Sequence, residues 1–228
     1  MFHGKRKAVT FSYDDGVTQD IKLIEILDRY GLKCTFNLNS GTLGNKGTLE
    51  RNHTIVPFDK VDVNMVETVY RDHEVAVHTV THPDLTVLSD DEIVYEIEQD
   101  RETLTRLSGQ KVVGMAYPGG NADTRVADLI KAKTEILYAR TIKPTRNFEK
   151  QENLLLFNPT VHQIKEDLLF SLADEFLNDK SQNEMLFYIW GHAFEFDAYR
   201  SWESFERFCR LIGGHSDVFY GTNSEVLL

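Results

Sequence analysis

Apolar and polar positions in this chain alternate between two textures. Short, almost unbroken apolar runs give way to longer stretches in which apolar residues recur every three or four positions. The first texture predicts strands buried on both faces, and the second predicts amphipathic helices packed against them. Lys7 to Ser12 is the first such run. Asp20 to Tyr30 then carries Ile21, Leu23, Ile24 and Leu27 at helical spacing, and Gly31 supplies a stop. Cys34 to Leu38 predicts a second strand, Val61 to Tyr70 a helix, and Val75 to Val77 a third strand.

The best-marked helix opens at Ser89-Asp90-Asp91-Glu92, where Ser89 can bond the third helical N–H and Glu92 can reach back. Ile93, Ile97, Leu104 and Leu107 continue its stripe until Gly109. Downstream the same reading gives strands at Val112 to Ala116, Ile136 to Ala139, Leu154 to Phe157, Met185 to Trp190 and Val218 to Tyr220. Helices are expected at Thr124 to Ala132, Glu166 to Leu177 and Trp202 to Ile212. Gly44 to Pro57 is the only sizeable irregular segment. Strict strand–helix alternation predicts a parallel sheet with helical crossovers. With roughly seven such units and no linker or repeat, residues 1–228 are expected to form one α/β domain. A closed or nearly closed barrel is favoured over an open doubly wound sheet. No glycine-rich nucleotide fingerprint follows the first strand.

Composition narrows the partners. The chain is 41% hydrophobic and 27% charged, which places it among globular and not disordered sequences. A formal charge of -11 argues against a phosphate backbone as partner, since that needs a basic face. No stretch approaches a membrane span. Cys34 and Cys209 both lie in apolar patterns and are expected to be buried free thiols. No apolar leader follows the basic residues near Met1, so a complete chain would be cytosolic.

Candidate chemistry collects where apolar runs stop. Ser12-Tyr13-Asp14-Asp15-Gly16 ends the first run and His78-Thr79-Val80-Thr81-His82-Pro83 ends the third. Two carboxylates and two imidazoles suffice for three ligands to a divalent metal, with one acid left as a water-activating base. Thr-Val-Thr between the histidines, and Pro83 after them, put the pair in a loop and not on a helix. Tyr117-Pro118-Gly119-Gly120, Arg140 and Gly191-His192 also follow predicted strands, so five segments bring polar groups to one rim.

These motifs resemble the polysaccharide deacetylases of carbohydrate esterase family four. Residues 12–16 are similar to that family's first motif, Thr-Phe-Asp-Asp-Gly, and His78 to Pro83 matches its second, His-(Ser/Thr)-x-x-His-Pro. The resemblance runs from about Lys7 onward. It implies a distorted (β/α) barrel, with Asp15, His78 and His82 as metal ligands, Asp14 as general base, and His192 in Ile189-Trp190-Gly191-His192 as general acid. It also implies a divalent metal, zinc first, with cobalt, nickel or iron compatible with two histidines and a carboxylate. The implied substrate is an N-acetylated, or alternatively O-acetylated, carbohydrate. Without a leader or an appended binding module, a short soluble oligosaccharide is expected over a wall polymer. An amidohydrolase acting on a small non-sugar C–N bond and a silent carbohydrate-binding relative are the alternatives.

The third motif departs from the pattern. The family reads Arg-Pro-Pro-Tyr-Gly, whereas Ala116 stands at the Arg position and Gly119 at the Tyr position. Arg140, on the next strand, either replaces that guanidinium or is structural. The glycines there would let backbone approach an oxyanion, with Tyr117, Gly119 and Asn39 as candidate substrate or oxyanion residues. Asn37 and His162 are further candidates for the pocket lining. Glu195 and Asp197 are candidates to orient His192 or to cap a helix. Tyr117, Trp190 and Phe194 either floor a sugar site or simply pack.

Overall fold

The computed structural model describes all 228 residues. Strand β1 (Lys7–Asp14) leads to helix α1 (Asp20–Arg29) and strand β2 (Cys34–Leu38). A hairpin of β3 (Thr48–Arg51) and β4 (Thr54–Pro57) and a single-turn α2 (Val66–Val69) precede β5 (Glu74–Val77). Then come α3 (Asp90–Ser108), β6 (Gly114–Ala116), α4 (Thr124–Lys133), β7 (Tyr138–Arg140), β8 (Val161–His162) and α5 (Glu166–Asn178). The chain continues through β9 (Met185–His192), α6 (Phe194–Tyr199), α7 (Trp202–Ile212), β10 (Val218–Tyr220) and α8 (Asn223–Leu227).

The strands of the main sheet are parallel and run in the order β7-β6-β5-β2-β1-β9-β8, with β10 added beside β1. Strand β9 pairs the full length of β1, and the other edge of β1 is shared by β10 at Lys7–Val9 and β2 at Phe11–Asp14. The sheet curls until its ends approach. Phe157 exchanges backbone bonds with Ala139 and Thr141 at β7 (3.0 and 2.8 Å), while Val161 and His162 pair with β9. Residues 157–162 thus bridge the two edges, giving the nearly closed barrel that the alternation predicts, distorted as the resemblance implies.

Every residue of β1 is buried, and the two-residue strand period sends its side chains to two different interiors. Val9, Phe11 and Tyr13 join a 46-residue apolar core between sheet and helices. Thr10, Ser12 and Asp14 face the barrel interior: Arg140 on β7 reaches Ser12 and Asp14 although β6, β5 and β2 separate the two strands. Helix α8 plugs this interior. Its Val226 and Leu227 pack with Ala8, Tyr138 and Tyr188, and Asn223 accepts a bond from Thr10 Oγ1 (2.9 Å) and donates to Ser12 Oγ (3.2 Å). Buried hydroxyls and amides are tolerable there because they bond one another.

Helix α3 follows its sequence signals, with the Ser89–Glu92 capping box formed and Gly109 left-handed at φ 70°. Cys34 and Cys209 are buried free thiols. Other expectations need correction. Gly44 to Pro57 is not irregular but holds the β3–β4 hairpin, turned by Asn52 and His53 at φ 50° and 55°. Both faces of β3 are mostly exposed, so no apolar alternation announces it. Leu154 to Phe157 is not a strand: Leu154–Leu156 is a 3-10 turn whose Leu155 N–H is accepted by the Asn153 side chain. The helix expected over Val61 to Tyr70 begins as a 3-10 turn at Val63–Met65, because the Asp62 side chain accepts the Asn64 N–H and restarts the chain. Strand β8 and helices α6 and α8 are too short to carry a periodic signal. No helix is long and apolar enough to cross a membrane.

Candidate active site

The C-terminal strand ends open into a cavity of about 1390 Å³ lined by Asp14, Asp15, His78, His82, His162, Trp190 and His192, among others. Asp14 is the last residue of β1 and points inward. Asp15 follows with φ 82°, a left-handed backbone that aims the second carboxylate away from the strand's alternation. Thr79 and His82 are also left-handed, at φ 69° and 63°. Such conformations cost energy in non-glycine residues, and here they cluster around one point.

The histidine loop is held from α3. Glu96 accepts from Thr81 N–H (2.9 Å) and Thr81 Oγ1 (2.8 Å), and Asp100 accepts from His78 N–H (3.1 Å) and Ser40 N–H (2.7 Å). Burial raises Asp100 to about 7. Neither acid was expected. Both interrupt the apolar stripe of α3 on its inward face, and that misplaced polarity is the signal the sequence offers. Asn39 Nδ2 donates to the carbonyls of His78 and Thr79 and so braces this loop, while its Oδ1 has no partner and the residue lines the cavity.

Asp15, His78 and His82 each bring a ligand atom within 4.8 Å of the others. The donor set fits a divalent cation. His78 Nδ1 lies 2.8 Å from the carbonyl oxygen of Ala116, so that nitrogen carries the hydrogen and Nε2 keeps its lone pair. Burial lowers His78 to about 4, which keeps the ring neutral, as a ligand must be. Lys60, bridged to Val17 on the chain after β4, donates to the Asp15 carbonyl at 2.7 Å with its Nζ 3.6 Å from Asp15 Oδ1.

Asp14 makes different contacts. Arg140 Nη2 lies 2.5 Å from Asp14 Oδ2, and Asn37 Nδ2 donates to Oδ1 at 2.8 Å. Asn37 is fully buried and outside the cavity lining, so it supports Asp14 and does not line the pocket as expected. Burial alone would raise the Asp14 pKa, but Arg140, His78 and His192 outweigh it and hold the carboxyl at about 2. Arg140 is wholly buried and stacked on Trp190, its guanidinium carbon 4.6 Å from the ring centre. The guanidinium absent at Ala116 is thus present from the next strand.

His192 ends β9 with Nε2 3.9 Å from Asp14 Oδ2 and 4.0 Å from Asp15 Oδ2. On its other side Nδ1 lies 3.4 Å from Oε2 of Glu195, one turn further along. Burial disfavours its charge, yet Glu195, Asp15 and Asp14 raise it to about 9, while Glu195 falls to about 2 against its own burial. Asp197 accepts from Gln19 Nε2 and Trp202 Nε1 instead, which separates the two acids left open by the sequence. His162, Arg51 and Gln163 also surround Glu195. His162, His192 and Glu195 form a second convergent set of ligand atoms. However, His162 Nδ1 accepts the Ile164 N–H (3.2 Å), so in the neutral ring the hydrogen sits on Nε2, the atom facing Glu195. That arrangement suits a hydrogen bond better than a cation.

At the third motif both Tyr117 donors are spent inside the protein, the hydroxyl on Leu155 O (2.7 Å) and the N–H on Arg140 O (3.0 Å). Gly119, at φ 61°, lines the cavity with open space where a Cβ would stand. Trp190 lines the cavity as well. Phe194 lies behind it, packed on Phe58 (5.2 Å), and Phe58 lines the cavity in its place.

The sequence model of the polysaccharide deacetylase family matches residues 3–135, more than half of the chain. The match includes Asp14, Asp15, His78 and His82 and stops before Arg140 and His192. A search of curated proteins returns no match. Among solved structures, the carbohydrate esterase family four domain of a multidomain xylanase from the hindgut metagenome of Trinervitermes trinervoides aligns at TM-score 0.63 and 18% identity. It covers 97% of this chain and 89% of that one. A family-four pseudoenzyme from Bacillus anthracis aligns at TM-score 0.58 and 18% identity, over 98% of this chain and 66% of that one. A Bacillus cereus polysaccharide deacetylase aligns at TM-score 0.51 and 19% identity, over 64% of this chain, which spans only 44% of that protein's length. At these identities the structures speak for the fold, and the sequence match speaks for ancestry: this chain belongs to the polysaccharide deacetylase family.

Proposed function

We propose that the protein is a metal-dependent hydrolase that removes acetyl groups from an N-acetylated carbohydrate. One observation carries this reading: a two-histidine, one-carboxylate set has Asp14 on one side and His192 on the other, all facing one cavity. Asp15, His78 Nε2 and His82 would hold the cation, zinc being the first candidate. When bound, it supplies Lewis acidity to the acetyl carbonyl and to water.

The chain's own groups divide the remaining work. Asp14 stays ionised beside Arg140 and takes the proton of the attacking water at a carboxylate oxygen. Gly119 lines the cavity with room for close approach, and its N–H would donate to the developing oxyanion. His192, held by Glu195, delivers a proton from Nε2 to the departing nitrogen. Ala116 alone would favour a silent relative, but Arg140 restores a guanidinium at the base, so turnover is expected. The test is acetate release from acetylated sugars and short oligomers of N-acetylglucosamine, with chelator-treated enzyme reloaded with zinc, cobalt or nickel. No release with any metal would refute the proposal.

A further inference from the structure

Glu195 is gripped from more sides than orienting one histidine requires. The carboxylate is fully buried, and its two oxygens are used differently. Oε1 receives Arg51 Nη2 at 2.9 Å, from the end of β3. Oε2 lies between two imidazoles, His162 Nε2 at 3.3 Å and His192 Nδ1 at 3.4 Å. His192 Nδ1 is buried and has no other partner. We propose that Arg51 and His162 are positioning residues for the proton donor, fixing the Glu195 carboxylate so that Oε2 is held against His192 Nδ1. The proposal rests on the hydrolase reading above and adds two residues to it.

The chemistry of each contact supports this division. An arginine–carboxylate bond is charge-assisted and directional, so Arg51 sets the rotation of the carboxylate about its own axis. His162 has its tautomer assigned from behind: the Ile164 N–H occupies Nδ1, leaving Nε2–H to point at Glu195. As a neutral donor it occupies one lone pair of Oε2 without competing for the proton that His192 must give away. The contacts to Oε2 are all 3.3–3.4 Å, long for hydrogen bonds, as catalytic contacts often are before substrate binds. The short 2.9 Å bond from Arg51 is therefore the one that anchors the group. It comes from a hairpin outside the barrel, docked on α6 by Asn52 Nδ2 donating to Ala198 O (3.3 Å).

A positioning role for the proton donor has a signature that general loosening lacks. Expulsion of an amine needs protonation, whereas expulsion of a nitrophenolate does not. Arg51→Ala and His162→Phe should therefore lower kcat on an N-acetylated sugar by about 10–100-fold, less than the roughly 10²–10⁴-fold of losing the general acid itself. KM should change little, and hydrolysis of p-nitrophenyl acetate should stay within about threefold. Arg51→Lys should recover part of the loss. In Glu195→Gln, removal of Arg51 should add little, since residues acting through one group are not additive. Equal losses on both substrates, or full additivity with Glu195→Gln, would overturn the proposal. Ring 15N shifts give a test that needs no turnover: His162 must be neutral with Nδ1 unprotonated. The opposite tautomer refutes this inference while leaving the hydrolase reading untouched, whereas an intact tautomer with no acetate release refutes the hydrolase reading and with it the proton-donor role, leaving only the fixation of Glu195.

Discussion

Arg140 meets Asp14 across the inside of the barrel, its Nη2 2.5 Å from both carboxylate oxygens. Its other two nitrogens go elsewhere, Nε to Ser12 Oγ (3.2 Å) and Nη1 to Thr141 O (3.1 Å). The guanidinium is thus not a two-pronged clamp on the carboxylate. One prong holds Asp14, and the other two fix the prong. Arg140→Lys is expected to keep a charge but lose this three-point fixation, lowering kcat by about 10²-fold with metal content unchanged. Steady-state kinetics with parallel elemental analysis checks it, and wild-type turnover would remove Arg140 from the mechanism. Arg140→Met should cost about 3–5 kcal/mol of stability, because Asp14 would stay buried and unpaired.

Loss of two imidazoles from the ligand set should empty it. His78→Ala with His82→Ala is expected to reduce bound transition metal to background after loading and desalting, read by elemental analysis. Near-stoichiometric metal in that variant would place the cation elsewhere.

Asp14→Asn and His192→Ala should each lose about 10²–10⁴-fold in kcat while still binding metal, since each removes one proton transfer and no ligand. Turnover near that of the wild type in either variant, with metal confirmed, contradicts the assignment.

Acid stability should report on Glu195. Its folded pKa of about 2 lies below an unfolded value near 4.3, so the ionised form is favoured by folding. The resulting stabilisation is fully present above the unfolded pKa and disappears as pH falls from roughly 5 to 2. It amounts to roughly 3 kcal/mol. Chemical denaturation of the metal-free protein at stepped pH should show that slope, and Glu195→Gln should make it shallower while leaving the part due to Asp14. An unchanged slope would mean that the carboxylate is not held ionised by its neighbours.

Gly114→Ala should destabilise the fold by more than the usual 1–3 kcal/mol for overpacking. A Cβ there would sit 2.0 Å from the Tyr138 ring, whose hydroxyl is tied to Glu74 (2.9 Å) and cannot swing aside freely. Thermal denaturation decides the matter, and a wild-type midpoint would show that the ring yields.

The barrel and its reactive rim were legible because their signals are local. Buried parallel strands are unbroken apolar runs, and Asp14, Asp15, His78 and His82 sit in short motifs at strand ends. Arg140 was legible only as a substitute for an absence at Ala116. What the sequence hid depends on tertiary contact. Arg51 lies on an exposed hairpin with no periodic signature, and only folding brings it to a carboxylate 144 positions away. Glu96 and Asp100 read as breaks in a helical stripe until the histidine loop is seen resting on them. Asn39 lines the cavity, yet the backbone of the histidine loop claims its amide nitrogen and leaves only Oδ1 unpartnered.

The plug formed by α8 has a consequence for how the chain acquires its interior. Ser12 on β1 and Asn223 on α8 are 211 positions apart, and Asn223 also receives the hydroxyl of Thr10. On a ribosome adding about 5–20 residues per second, β1 would wait on the order of 10–40 s for that partner to emerge. Throughout that interval the Thr10 hydroxyl lacks the Asn223 acceptor, and Ser12 has only Asn37 and, later, Arg140 as partners. The nascent chain must therefore carry an unfinished, partly polar barrel until α8 has been made. The floor beneath Asp14 is thus the last part of the barrel to find its partners, although the groups that touch Asp14 itself, Asn37, Arg140 and His192, are all made earlier.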